Sequence, residues 1–397
     1  MSAKASRNLS LDVLRGVAIL LVVAFHAGAQ DLFPESPPAA FTKVTNVMWA
    51  GVDLFFVLSG YLISGLLFAE IDRSDTLDLK RFWLRRGMKI WPSYFAAYGF
   101  MLAFSCFAHA RAGAWGEVKT DLVRALPNLV MVQNYFPADW RWPNSWSLAV
   151  EEHFYLAMPA LLLVLLRRKG AKYRFDGLLA GGAIFCVLVL GLRFLDAGSA
   201  VPNAYFPTHM RADSLCVGVM LGWLQRYRRP LFDLLASKWR IALVLAPLAL
   251  LLVIPLGSPW PGDPPEPGEP PHSGNFWSGF TVGFTILYLG FAPLVVAAGA
   301  HPEAVSRAPA PLRPLLRAVA FVGEYSYTLY LGQAIVPRTP GYATAVRIAR
   351  RFSESLWTNR LVFVVASFAV GILLAHLVER PFLKLRERWI PARRSAS

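Results

Sequence analysis

The stretch Leu11–Gly28 reads LDVLRGVAILLVVAFHAG. With its flanks it is long and apolar enough to cross a bilayer as one helix, which takes about 20 residues. Arg15 stands near its start and His26 near its end, eleven positions later. Eleven helical residues turn through about 1100°, within about 20° of whole turns, and rise about 16 Å. Both side chains therefore project from one helix face. Ionisable residues inside a span usually face a bundle interior or a water-filled cavity. The spacing leaves two readings open. One is a functional pair; the other is an interfacial arginine bonded to Asp12 at i−3, with a histidine bonded to a neighbouring helix.

Apolar runs of similar length recur along the chain. Of its 397 residues 55% are hydrophobic and only 16% charged, against about a quarter charged in soluble domains. The expected fold class is all-α, a polytopic integral membrane bundle of about ten transmembrane helices. The spans fall at roughly 9–29, 47–69, 91–109, 144–166, 176–195, 211–225, 240–257, 277–299, 316–336 and 358–378, with 120–134 as an interfacial or re-entrant extra. The net charge of +15 sits between spans and forms no basic domain, so it reads as a topology signal and not as a nucleic-acid surface. Cys106, Cys186 and Cys216 lie in apolar stretches without motif spacing. They indicate neither a disulfide framework nor a metal site.

Loop charge sets the orientation. With the N-terminus inside, Arg73, Lys80, Arg81, Arg85, Arg86 and Lys89 are cytoplasmic, as are Arg167–Lys169, Arg226–Arg229 and the basic tail at 386–397. The proline-rich segment 258–276 has no lysine or arginine and is placed outside as an extended loop. One loop, 337–357, disagrees, carrying Arg338, Arg347, Arg350 and Arg351 on the outer side. Both termini are expected to be cytoplasmic. The N-terminus MSAKASRN lacks a clear cleavage site and reads as an uncleaved signal-anchor. A single membrane domain, 1–397 with its core at about 9–385, is expected.

Several motifs carry polar residues into these spans. NSWSLAVEEHFY, 144–155, places Glu151 and Glu152 near a helix start, about 100° apart, so only one readily faces the interior. Either the helix dipole favours them there, or one orients an imidazole on another helix. HMRADSLCVG, 209–218, offers Arg211 and Asp213 as an ion pair or as the lining of a substrate site. KRFWLRRGMKIWPSYF, 80–95, spaces Arg81, Arg85 and Lys89 at i, i+4 and i+8 beside Arg86, with Pro92 as a helix start or kink. That basic face is an inner anchor or a phosphate site. GVDLFFVLSGYLIS, 51–64, holds Asp53 and the small pair Ser59–Gly60, which suits close helix packing. HLVERPF, 376–382, reads as a capped helix end.

Together these stretches resemble the integral-membrane acyltransferase 3 family. The resemblance rests on LDVLRGVAILLVVAFH, FFVLSGYLIS, RRGMKIWPSY, WSLAVEEHFY, RADSLCVG, YSYTLYL and ERPF, in family order from residue 9 to about 385. It implies a bacterial inner-membrane enzyme, multi-pass, that moves an acyl group, most simply acetyl, from acyl-CoA to a hydroxyl. The acceptor class it implies is a surface polysaccharide or lipid-linked glycan. The family's basic-residue–histidine hallmark falls on Arg15 and His26. The resemblance implies His26 as catalytic base and Glu151 as its carboxylate, with Arg15, Arg85, Arg86 and Lys89 holding the donor. Ser59, Trp146, Tyr155, Arg211 and Asp213 are acceptor-site or structural candidates. No bound cofactor or metal is implied; acyl-CoA is a co-substrate. Members often carry histidine where this chain has Gln333, so that position receives no role. The activity is expected to reside wholly in the membrane domain. Two rivals stay open: acylation of a small macrolide-type glycoside, and a proton-coupled transporter or glycan flippase.

Overall fold

A computed structural model describes residues 8–28, 38–136, 142–169, 175–197, 205–254, 279–353 and 355–391. The proline-rich segment 258–276, the first seven residues and the tail beyond 391 lie outside the described residues. All regular structure among the described residues is helical. Among the described residues seven helical segments are long and apolar enough to cross a membrane, or eight if Arg229–Ser237 and Trp239–Val253, bent by 71°, form one span. The chain is an all-α, multi-pass membrane protein.

The chain folds into two compact units. The first contains α1 (Leu9–Gly28), α2 (Gly51–Ser74), α6 (Leu178–Ala197), α7 (Thr208–Tyr227), α8 (Trp239–Val253), α9 (Phe284–Ala300) and α10 (Arg313–Glu324). The second contains α3 (Leu79–Arg111), α4 (Trp115–Leu129), α11 (Ser326–Ile335), α12 (Leu356–Leu374) and α13 (Arg380–Trp389). Helix α5 (Trp146–Lys169) contributes residues through Leu156 to the second unit and the remainder to the first.

In the first unit, Asn8 Oδ1 accepts from the Leu11 amide at 3.1 Å and caps α1, answering one of the orphan donors of a helix start. Helix α2 ends at Asp75 in the left-handed region, φ 51°, a common way to stop a helix. The Ser59–Gly60 expectation of close packing is met between α2 and α7. A side chain at Gly60 would strike the Leu215 carbonyl, and one at Gly218 the Val57 carbonyl. Only hydrogen at those positions lets the two backbones approach. Many apolar side chains of α6 and α8 point outward, among them Ile184, Val187, Leu195, Leu243 and Leu251. Such faces suit lipid as solvent.

In the second unit the expected 91–109 span is part of a longer helix. Asp78 Oδ1 accepts from the Arg81 amide at 3.1 Å, so α3 begins at Leu79 and runs through Pro92 to Arg111. Pro92 therefore marks no helix start, and the basic face belongs to the first turns of α3 itself. The 120–134 candidate resolves into α4, whose Asp121 and Ala125 are buried while Leu122, Val123, Leu126 and Leu129 are exposed. This amphipathic helix is not among the spans. ERPF does not end a helix. The turn Ala375–Glu379 widens to π geometry and leads directly into α13, with Pro381 in the first turn of that helix, where its missing N–H costs nothing. The expected 316–336 span arrives as α10 and α11, parted at Tyr325.

The basic loop that disagreed with the orientation rule is helical at Pro340–Arg350. Arg338 donates to the Ala334 carbonyl at 2.7 Å and Arg350 to Asn359 Oδ1 at 3.1 Å.

Candidate functional site

In the first unit the functional face of α1 is explicit. Arg15 Nη1 donates to Asp12 Oδ1 at 2.9 Å, one turn back, and keeps a third of its side chain exposed. Around this turn α1 lies against α10. A side chain at Gly16 would meet the Val319 carbonyl, and one at Gly323 the Asp12 carbonyl. At the other end of the helix, His26 Nδ1 lies 2.8 Å from the Val22 carbonyl. A carbonyl only accepts, so Nδ1 carries a proton. Phe25 packs edge-on to the ring, with centroids 5.1 Å apart. The imidazole is half-buried, and these two contacts orient its ring.

The same unit holds an ionic core. Arg211 Nη2 reaches Asp53 Oδ1 at 3.0 Å and Oδ2 at 3.1 Å. Arg193 Nη2 reaches both oxygens of Asp213 at 2.6 Å, and its Nε donates to the Met210 carbonyl at 2.8 Å. All four side chains are 0% exposed. The Arg211 guanidinium lies 3.4 Å over the Phe284 ring, a cation–π stack that offsets desolvation. The ion pair drawn from sequence between Arg211 and Asp213 is not made. Two residues apart on α7 they point about 200° away from each other, so each finds its partner on another helix. Arg193 was overlooked; a single arginine inside the apolar run of α6 was its signal. Ser59 is half-buried on α2.

In the second unit, the basic face of α3 divides between two neighbours. Arg86 donates from Nη2 to the Tyr155 hydroxyl, and its guanidinium stacks 4.1 Å from that ring's centroid. The Tyr155 hydroxyl in turn donates to Glu151 Oε2 at 2.5 Å, one helical turn back. Arg86 Nη2 is 3.9 Å from the same carboxylate. Trp83 Nε1 fixes this end of α5 by donating to the Tyr155 carbonyl at 3.0 Å. Arg85, about 100° round the helix, faces α13 instead. It donates to Glu387 Oε1 at 2.9 Å and Oε2 at 3.4 Å, and to the Ile390 carbonyl. Arg81 donates to the Pro391 carbonyl. Lys89 is half-buried and Trp146 buried.

Both glutamates of the EE pair have partners in this unit. Glu151 takes Tyr155, whereas Glu152, 6% exposed, accepts from Trp91 Nε1 at 2.9 Å. His26 belongs to the first unit and Glu151 to the second. Of the four residues assigned to the donor, Arg15 lies in the first unit and Arg85, Arg86 and Lys89 in the second. Glu387 was overlooked because its helix reads as a charged tail. Among the described residues no three His, Cys, Asp or Glu side chains converge as a metal site requires.

Comparison with known proteins supports the motif reading. A family model described as an acyltransferase domain matches residues 8–380. The chain is similar to the peptidoglycan O-acetyltransferase OatA of Listeria monocytogenes, 27% identical over 55% of this chain and 34% of that protein. It is also similar to the O-acetyltransferase OatA of Staphylococcus aureus, 25% identical over 81% of this chain and 49% of that protein. A putative O-acetyltransferase of S. aureus, SACOL0978, is 30% identical over 54% of this chain and 34% of its own length. The chain thus spans between a third and a half of the length of these relatives. No solved structure matches it. With nearly its whole length matched and the seven motifs in order, the chain belongs to the acyltransferase 3 family.

Proposed function

We propose that this protein is an O-acyltransferase that moves an acetyl group from acetyl-CoA to a hydroxyl of a cell-surface glycan at the bacterial inner membrane. The observation that carries this reading is the bond of His26 Nδ1 to the Val22 carbonyl, which orients the imidazole near the end of a membrane helix; Nε2 is assigned as the general base. The similarity to O-acetyltransferases supports the donor group and the acceptor class.

In the proposed reaction the acceptor hydroxyl oxygen attacks the thioester carbonyl carbon while Nε2 of His26 takes its proton. The C–S bond then breaks, and the imidazolium returns the proton to the leaving thiolate. General-base help of this kind is worth about 10²–10⁴-fold. Glu151 is assigned as the supporting carboxylate, held by Tyr155 and Arg86. Arg15, Arg85, Arg86 and Lys89 are assigned to the donor's phosphates, which suit guanidinium donors. For Arg85 those phosphates would take over the place of Glu387. Ten spans, cytoplasmic termini and a surrounding bilayer complete the proposal.

The test is acetyl transfer from labelled acetyl-CoA to glycan in membranes carrying wild-type protein or His26→Ala at equal abundance. A loss of at least about 100-fold is expected. Wild-type rates in the variant would overturn the assignment. Mass spectrometry of surface glycans from cells with and without the protein identifies the acceptor by its missing acyl mass.

A further inference from the structure

The cysteines carry no motif spacing in the sequence, yet the tertiary structure brings two of them together within the first unit. Cys186 lies on α6 and Cys216 on α7, each a half-buried free thiol. The two thiols are hydrogen-bonded to one another. Each also lies against the opposite backbone. Cys186 Sγ is 3.9 Å from the Asp213 carbonyl oxygen, and Cys216 Sγ is 4.0 Å from that of Gly182. Gly182 begins the helical turn that ends at Cys186, and Asp213 begins the one that ends at Cys216. Each sulfur therefore sits on the turn that carries the other cysteine.

Gly182 accounts for the close approach. A side chain there would sit 2.6 Å from Met220 Sδ and 3.4 Å from Cys216 Sγ, so hydrogen alone lets α6 lie against α7 at this level. A disulfide forms only where two backbones come close and their thiols converge, and this seam offers both. The same seam carries the ion pair of Arg193 with Asp213. Cys186 and Arg193 stand seven residues apart on α6, hence on one face. Cys216 follows Asp213 by one turn of α7. The thiol pair thus adjoins a buried tie between the same two helices.

Beside the pair α6 exposes Ile184, Val187 and Leu188, a surface suited to lipid. A reagent that reaches half-buried thiols on that surface arrives through the bilayer and is itself apolar. We propose that Cys186 and Cys216 form an oxidative modification site, where an apolar hydroperoxide dissolved in the bilayer converts the two thiols to a disulfide that ties α6 to α7. One sulfur takes the terminal peroxide oxygen, which gives a sulfenic acid and leaves an alcohol. The second thiol then attacks that sulfur, water leaves, and the S–S bond forms. The thiols together lose two electrons, and the O–O bond that breaks accepts them. The inference is independent of the acyl-transfer reading above.

The experiment uses the full-length protein in lipid nanodiscs, treated with cumene hydroperoxide as the apolar oxidant. After denaturation the remaining thiols are blocked with N-ethylmaleimide, and unreduced digests are read by mass spectrometry. A peptide pair joined through Cys186 and Cys216, two hydrogen masses lighter than its parts, should accumulate. Cys106, in the second unit, should stay labelled. The melting temperature should rise by about 5 °C, because the bond closes a long loop of the unfolded chain. Cys186→Ser should abolish both the joined peptide and the rise.

Labelling of Cys186 and Cys216 as complete as that of Cys106 after treatment would overturn the proposal. So would oxidation of either to sulfinic acid without a joined peptide, or joining of Cys106 to other cysteines as readily, the mark of random oxidation. Hydrogen peroxide at equal concentration is the polar comparison. It should cross-link the pair more slowly than cumene hydroperoxide, and an equal or faster rate overturns the route through the bilayer. The joined peptide is read on wild-type protein, so a Cys186→Ser chain that fails to accumulate leaves the test intact. No readout uses acetyl transfer, so this inference and the functional reading stand or fall separately.

Discussion

Two arginine clusters share this chain, and they are built in opposite ways. In the first unit Arg193 and Arg211 are 0% exposed, each bonded to a carboxylate that is equally buried. In the second unit Arg85 and Arg86 keep about a fifth of their side chains exposed. Their partners are a tyrosine hydroxyl, a tail glutamate and a backbone carbonyl. A fully buried pair repays desolvation only while both members are present. Such a cluster specifies how α2, α6, α7 and α9 meet. A partly exposed cluster with modest partners can exchange them for a stronger anion at small cost. Placement at the edge of the fold, more than arginine content, separates a strut from a binding face.

The sharpest way to break the comparison is to remove one member of the buried core. Asp53→Asn should leave Arg211 uncompensated and cost about 3–5 kcal/mol. Fluorescence-detected gel filtration should then show the monodisperse peak collapsing; a variant as stable as wild type would mean that the core is no strut. Tyr155→Phe should act more mildly. It removes the hydroxyl that links Arg86 to Glu151, worth about 1–3 kcal/mol because both neighbours are charged. Acetyl transfer should fall while the protein still accumulates, and undiminished transfer would detach Glu151 from the mechanism. The smallest effect on stability should come from Glu387→Gln, at about 1 kcal/mol or less for an exposed pair. Because it frees Arg85, the KM for acetyl-CoA should fall. A rise would assign Arg85 to anchoring α13, not to the donor.

The sequence already carried the helical membrane class, because span length and apolar composition are local properties. It carried the shared face of Arg15 and His26 for the same reason: 3.6 residues per turn place positions eleven apart in line. The Arg15–Asp12 bond, one of two readings left open at the start, is also local, at i and i+3. The close contact of α2 with α7 was legible in Ser59–Gly60, since small residues announce backbone approach. Asp78 as the cap of α3 was overlooked, although its position before the basic helix was visible. The continuation of the last helix through Pro381 was hidden because a proline in sequence can mark either the end of a helix or its first turn.

What the residues determine by themselves is therefore the helical class and the face each charge occupies. Which charge meets which was decided only by the tertiary structure. Arg211 and Asp213 stand two apart in one motif, yet their partners are Asp53, 158 residues away, and Arg193, 20 residues away. Arg85 and Arg86 are adjacent, yet one belongs to α13 and the other to α5. A helix sends successive side chains about 100° apart, so neighbours in sequence are offered to different helices. The packing of those helices then selects the partner.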